Sequence, residues 1–478
     1  MLRNWSEFLS PTGIEEIHNT SMKLLNSVGV QFHEAEAISV FKQHGVKTDG
    51  STVYLSEKQV MEAVGAAPRQ FTFHARNPER NVTVGDGHIV FAPAYGAPFL
   101  MDYDGRTPNV RVGKRVPTME DYHNLVRLAH ALPNQDLIGY LMVEPGDVPA
   151  QIAYLHMLHA NMTHSDKPFI GSVSGTVGAR HTMEMASILF DENVSHRPVT
   201  IGVISSLSPL SYSREMCGAL IEYARWRQPV LIAAAAMAGS TAPITLAGVL
   251  AMQNAELLAG ITLSQLISPG TPVIYGSTST NTDMKTGALA IGSPENALVV
   301  TAVTQIARYY GLPSRGGGAL TDSHTPDARA GFESMQNLLV AVISGVDFVL
   351  HAAGILSSFL AFSYEKFVLD DEMCGMVRRF GRGIPVTPET LAYDVIAEVG
   401  PGGNYLMESH TLERCRGEFW QPTIGDRVGM EKWIAAGTPD EAVRARKRWQ
   451  KLLAEHRDPP LDETTSRQLQ EFVEDHVA

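Results

Sequence analysis

The sequence predicts an α/β protein: a (β/α)8 TIM-type barrel with an N-terminal α+β cap region and C-terminal helices. Two observations carry the prediction. From Pro117 onward, short runs of β-branched and small residues alternate with helical runs, giving seven strand candidates in unbroken succession. Several of these open at or just after a proline, at Pro168, Pro198, Pro229, Pro272 and Pro313. Proline is tolerated at the first residue of a strand and lacks the N–H that would continue a preceding helix. Repeated strand–helix units point to a parallel sheet, and so long a series favours a barrel over an open, doubly wound sheet.

Residues 1–116 follow another rhythm. Thr12–Val28 carries Ile14, Ile17, Met22, Leu24 and Leu25 at helical spacing, and His33–Gly45 gives a second short helix. Val53-Tyr54-Leu55 reads as a strand running into a helix capped by Ser56, with Gln59 three residues on. Phe71–Arg111 breaks into short strands separated by turns at Asn77-Pro78, Gly85-Asp86-Gly87 and Asp104-Gly105. Its apolar loop, Ala92–Phe99 with Tyr103 close behind, either packs on the main body or lines a pocket. The barrel is assigned to residues 117–381. Its strands are expected at Asp136–Leu141, Pro168–Val173, Pro198–Ser205, Pro229–Met237, Thr271–Ser277, Pro313–Leu320 and Val346–Ala352, with the eighth near Ser363–Leu369. Residues 382–478 form a helical extension expected to pack on the barrel.

Composition narrows the function. With 478 residues, 44% hydrophobic and 19% charged, the chain can bury a large core and is too apolar for disorder. A net charge of −13 works against a nucleic-acid partner. Cys217, Cys374 and Cys415 lie far apart with no CxxC, which suggests neither a disulfide framework nor a Cys-rich zinc site. The N-terminus lacks the apolar stretch of a signal peptide. The apolar run Pro243–Ile267 is interrupted by Gln253, Asn254, Glu256 and Gln265, and reads as a buried helix rather than a membrane span. A cytoplasmic enzyme with no membrane segment is the expectation.

In such a barrel the chemistry sits at the C-terminal ends of the strands. By position this selects Tyr140, Glu144, Ser172, Ser174, Ser205, Ser206, Ser277, Thr278, Asn281, Gly317, Asp322 and His351. The set is rich in small hydroxyl groups and holds no evident acid–base pair. His156 and His159 fall three apart on one helix without an obvious third ligand, and read as a surface or core pair. One stretch stands out, Leu312–Asp322. Gly316-Gly317-Gly318 removes side chains where a strand would present them, next to the fixed charge of Arg315. It is either a loop that needs positive φ or the floor of a pocket.

Three segments carry a resemblance. The tail His410-Thr411-Leu412, Arg416-Gly417-Glu418-Phe419-Trp420-Gln421-Pro422 and Asp426-Arg427, the stretch Tyr364–Glu372, and Gly316–Asp322 occur together in this order. They resemble the trimethylamine methyltransferase family of corrinoid-dependent enzymes, and the resemblance extends over nearly the whole chain. It implies a (β/α)8 barrel that passes a methyl group from an amine to the cobalt of a small corrinoid protein. The archaeal trimethylamine enzymes carry pyrrolysine in the barrel, at a position that falls within Arg315–Gly318 here, whereas this sequence has only standard residues. It is therefore similar to the non-pyrrolysine branch, which is associated with quaternary amines. Glycine betaine is the first substrate to test, with carnitine, proline betaine or choline as alternatives. A non-catalytic betaine-binding barrel is the reading from outside enzymology.

The resemblance shapes the expected site. Cobalt(I) attacks a methyl group in line, and a quaternary ammonium leaves as a neutral tertiary amine that needs no proton. Position and a dry cavity then matter more than an acid. A cation cage is expected from at least two of Tyr95, Phe99, Tyr140, Phe362 and Tyr364. His351 is expected to contact the substrate carboxylate or to help orient its cation, and Arg315 to supply charge if its head reaches the pocket. Gly317 and Gly318 would make room for the substrate, His351 and Gly317 forming the catalytic centre, and Asn281 joins the substrate contacts by position. Cobalamin is expected on a corrinoid-binding partner docked over the barrel mouth, with no metal held tightly by this chain. A homo-oligomer is expected.

Overall fold

The computed structural model describes residues 7–102 and 113–477. Tyr103 and the Asp104-Gly105 turn lie outside the described residues. Seven parallel strands form the main sheet: β1 (Val90–Phe91), β2 (Phe169–Ile170), β3 (Thr200–Ser205), β4 (Val230–Ala234), β5 (Val273–Ser277), β6 (Ser314–Arg315) and β7 (Phe348–Val349). Their order is β1-β7-β6-β5-β4-β3-β2, so neighbours from β2 to β7 are sequential. Residues 136–138 touch both edges. The Asp136 N–H donates to the Phe91 carbonyl at 2.8 Å, and Ile138 pairs in parallel with Phe169.

Eight helices alternate with these segments: α1 (Met119–Ala131), α2 (Ala150–His164), α3 (Gly175–Phe190), α4 (Arg214–Arg225), α5 (Leu246–Ile267), α6 (Pro294–Tyr310), α7 (Ala328–Ser344) and α8 (Tyr364–Gly381). Their starts follow capping rules. Thr118 and Asp121 make a reciprocal capping box at α1, and Ser293 and Asp327 accept from the third N–H of α6 and α7. α6 and α7 stop at Gly311 and Gly345, both in the left-handed region that glycine reaches without strain.

Three expectations change. Asp136–Leu141 makes an isolated bridge at Ile138 rather than a strand. Ser363–Leu369 is not a strand: Ser363 caps α8 by accepting from the Lys366 N–H, and Glu365 sits favourably in the first turn. The sheet instead takes Val90–Phe91 from the N-terminal part of the chain, pairing it with β7. The Thr52–Tyr54 strand does lead into a helix, Glu57–Ala66, closed by the expected Ser56–Gln59 capping box.

Helix α5 explains where the N-terminal helices go. Seventeen of its residues are buried, all round its circumference. A helix apolar on every face needs cover on its outer side as well as from the sheet. The helix Pro11–Ser27 supplies it: Ser21 Oγ donates to the Ala251 carbonyl at 2.8 Å and accepts from Asn254 Nδ2 at 2.9 Å. By length and composition α5 could cross a membrane, but 83% of its most apolar window is buried inside the protein.

Loops beyond the strand ends build a second, four-stranded sheet from Phe99–Asp102, Gly113–Arg115, Ile355–Leu356 and Ala361–Phe362. The C-terminal helices Glu441–Glu455 and Glu463–Val477 return to the helices around the main sheet. Trp449 stacks on Tyr364 at 4.7 Å and Phe472 meets His181 edge-on. Between α8 and these helices, residues 382–437 carry large apolar side chains that stay exposed, among them Ile384, Tyr393, Leu406, Met407 and Leu412.

Candidate active site at the strand ends

A cavity of about 320 Å³ opens at the C-terminal ends of β3 to β7 and of β1. Ligand pockets are usually somewhat larger, so a small molecule suits it. Its apolar wall comes from Val203, Ala233, Ala235, Met237, Leu289, Leu350, Tyr95 and Phe359. Its polar groups are Ser205, Thr278, Arg315 and His351. The two strongest are the residues the sequence singled out on adjacent strands.

Arg315 ends β6 and is 2% exposed. One terminal nitrogen donates to the Ser277 carbonyl at 2.7 Å and the other to His351 Nδ1 at 3.0 Å. Its Nε has no hydrogen-bond partner, and among the described residues no carboxylate pairs with it. Burial pushes its pKa down to about 9. A guanidinium out of water without an anion costs several kcal/mol, a cost that an anionic ligand in the cavity would offset.

His351 fixes that guanidinium. Its Nδ1 accepts from Arg315, which leaves the proton on Nε2 to donate to the Tyr95 carbonyl at 3.0 Å. Burial, then the adjacent Arg315 charge, pushes the pKa down to about 3, so the ring is neutral. With both nitrogens occupied the ring lines the cavity, where Phe359 is tilted against it with 4.8 Å between ring centroids. Gly318 is what lets β6 come this close to β7: an added Cβ would sit 2.5 Å from the His351 carbonyl oxygen.

The other expected residues lie elsewhere. The absent Cβ of Gly317 faces the Ala341 methyl on α7 at 2.7 Å, and that of Gly316 faces Val300 on α6. The glycines therefore admit helices and a neighbouring strand, and neither Gly317 nor Gly318 lines the cavity. Of the five expected cage aromatics, Tyr95 alone is in the lining. Phe99 lies in the outer four-stranded sheet with the Lys114 ammonium over its ring. Tyr140 is buried, accepting from Ser172 Oγ at 3.0 Å. Phe362 packs edge-on against Phe367, and Tyr364 donates to Asp121 beside Trp449. Asn281 accepts from Ser293 Oγ at 2.7 Å, at the start of α6.

Phe359, Met237 and Leu289 were missed. Phe359 is the telling case. It closes a turn in which Ser357, Ser358 and Phe359 all have positive φ, at 55°, 54° and 73°. No glycine or asparagine marks that turn in the sequence, so no local signal announces it.

The strand ends thus hold a small, mostly apolar cavity with one uncompensated cation, a site for an anionic or zwitterionic small molecule in an α/β protein. The chain belongs to the trimethylamine methyltransferase family: the profile described as trimethylamine methyltransferase (MTTB) matches residues 3–478. A glycine betaine methyltransferase of Desulfitobacterium hafniense (strain Y51) is 46% identical, covering 97% of this chain and 96% of that protein. A proline betaine:corrinoid methyltransferase of Eubacterium limosum is 33% identical over 98% of each chain. The trimethylamine methyltransferase MttB of Methanosarcina barkeri (strain Fusaro / DSM 804) is 32% identical over 96% and 93%. Among solved structures, the Methanosarcina barkeri monomethylamine methyltransferase MtmB superposes with a TM-score of 0.53 at 13% identity, covering 94% of this chain and 90% of that one. That likeness speaks for the fold alone.

Proposed function

We propose that this protein transfers a methyl group from glycine betaine to the cobalt(I) of a corrinoid protein, releasing dimethylglycine. The buried Arg315 guanidinium, lacking a carboxylate and facing a cavity walled by Tyr95 and Phe359, carries the reading. The 46% identity to a glycine betaine methyltransferase supports it. Arg315 takes the substrate carboxylate through a charge-assisted hydrogen bond. The aromatic faces and Met237 surround the trimethylammonium group. In the reaction one N–CH3 bond breaks with its electron pair passing to nitrogen. A Co–CH3 bond forms from the electron pair of cobalt(I), which becomes cobalt(III). No proton moves, which accords with a neutral His351 that only positions Arg315. Tyr95 and Arg315 are kept as substrate contacts, and Phe359 is added.

The corrinoid partner docks, on this reading, over the strand ends. Exposed Leu207, Ile244, Met284 and Leu360, from the loops after β3, β4, β5 and β7, make an apolar rim that favours a protein surface there. We read the ring of strands as a (β/α)8 barrel with residues 136–138 in the remaining strand position. The division at residues 116 and 381 is kept, with β1 lent to the barrel by the first part. The exposed apolar segment 382–437 supports self-association, which light scattering on the purified protein tests. A cytoplasmic location is retained.

The decisive experiment is methylation of cob(I)alamin, free or on a corrinoid protein, by a panel of quaternary amines. Glycine betaine should be the preferred donor. Binding of betaine with no methyl-cobalamin formed would favour a non-catalytic barrel.

A further inference from the structure

We propose that Asp322 is a positioning residue that sets the width of the substrate cavity, and with it which quaternary amines are accepted. The proposal rests on the quaternary-amine reading above. Asp322 lies in the loop after β6, outside the cavity lining. Its Oδ1 accepts from the Ile291 N–H at 3.0 Å and from Ser358 Oγ at 2.7 Å, and its Oδ2 from the Gly292 N–H at 3.1 Å. One carboxylate thus ties together the loops that follow β5, β6 and β7. Two of them carry a cavity wall: Leu289 stands just before Ile291, and Phe359 directly after Ser358.

The two walls differ in how firmly they are otherwise held. On the Leu289 side, Asn337 Nδ2 donates to the Ile291 carbonyl at 3.2 Å. The Glu333 carboxylate packs so closely on Gly292 that an added Cβ would lie 2.3 Å from it. On the Phe359 side the chain is strained, with three consecutive non-glycine residues at positive φ. Such a conformation persists only where its surroundings over-determine it. Here the restraints are the Ser358 hydroxyl on Asp322, two backbone bonds to Ser323 and Thr321, and His324 Nδ1 against Ser357 Oγ at 2.8 Å. Arg329 completes the surroundings of Asp322 at 3.8 Å. Loss of the Asp322 link lets the Phe359 turn relax, and the Phe359 ring, which packs against His351, withdraws from the cavity. A longer quaternary amine then fits better and glycine betaine worse.

The test uses the full chain and free cob(I)alamin, comparing kcat/KM for glycine betaine and for the longer carnitine. Asp322→Asn should raise KM for glycine betaine about tenfold with kcat changed by less than about threefold, and shift the betaine-to-carnitine ratio by about tenfold toward carnitine. Ser358→Ala, which cuts only the Phe359 side, should shift the ratio the same way by about threefold, and Ser358→Asn, which keeps a donor for Asp322 and tolerates the positive φ, should restore it. An unchanged ratio in both Asp322→Asn and Ser358→Ala, with both proteins folded by circular dichroism, overturns the clamp; should Asp322→Asn fail to fold, Ser358→Ala decides alone. If wild type methylates cob(I)alamin from neither amine, the substrate reading has failed instead. The clamp is then judged by amide exchange at Ser357–Leu360, which Ser358→Ala must accelerate for it to stand and which, unchanged, overturns it.

Discussion

Two buried cations face different fates in this protein. Lys366 is 1% exposed and Arg315 is 2% exposed. Lys366 Nζ is ion-paired with Asp370, donates to Ser334 Oγ at 2.9 Å and to the Ala319 carbonyl at 3.2 Å. Asp370 in turn accepts from the Gly354 N–H at 2.8 Å. All three ammonium donors are used, and the pair holds α8 against the end of β6. Lys167 behaves alike, giving its three donors to the carbonyls of Ala129, Leu132 and Gln135. Arg315 has an acceptor for each terminal nitrogen but none for Nε, and has a cavity in front of it. A cation that serves the fold spends its donors inside the protein. On the function proposed above, Arg315 is left one donor short beside the cavity for its substrate.

The contrast can be broken most directly at Lys366. Lys366→Met leaves Asp370 buried and unpaired, so stability should fall by about 3–5 kcal/mol, read as a large drop in Tm. A Tm equal to wild type would mean that Lys366 is not structural in this sense. Arg315→Leu should behave oppositely. Removing an uncompensated buried charge should leave Tm equal or raised, while kcat/KM for glycine betaine falls by about 1.5–3 kcal/mol, roughly ten- to a hundredfold. Choline, which has no carboxylate, should lose far less; equal losses for both substrates would remove Arg315 from the carboxylate.

pH sharpens the same point. The guanidinium carries its charge below about 9, and the betaine carboxylate is ionised throughout. The kcat/KM for betaine should therefore be flat up to that pH and then fall about tenfold per unit as the free enzyme loses the charge. In the complex the bound carboxylate stabilises the charge, so kcat should hold to higher pH. A flat profile through pH 10 would contradict this. The smallest effect is expected from Phe359→Leu, which keeps an apolar side chain but removes one aromatic face. KM for betaine should rise by about 0.5–2 kcal/mol in binding terms, measured in the same assay, and an unchanged KM would take Phe359 out of the cation site.

What the sequence disclosed follows the range of the interactions involved. Proline-led strands and capped helices are local, and the Ser56–Gln59 cap forms as its neighbours dictate. Arg315 and His351 were legible because strand order alone makes β6 and β7 neighbours. The two-residue strand Val90–Phe91 was not, since its partners are β7 and residues 136–138, both distant in sequence. The glycines were visible but their direction was not: Gly317 has φ of 68°, which turns its open side toward α7 rather than the cavity. Aromatics were chosen by nearness to loops, yet Phe362 and Tyr364 satisfy core and tail contacts instead, and the ring at the cavity comes from a turn with no turn residues.

The pairing of Val90–Phe91 with Phe348–Val349 also sets a schedule for synthesis. The first strand of the sheet leaves the ribosome long before the last. Chains emerge at about 5–20 residues per second, so one edge of β1 stays unpaired for on the order of ten seconds or more. During that time the nascent sheet is an open template for other strands. A chaperone that holds β1 until β7 arrives should therefore raise the soluble yield of the full chain, and a truncation before Phe348 should aggregate although every earlier helix is present.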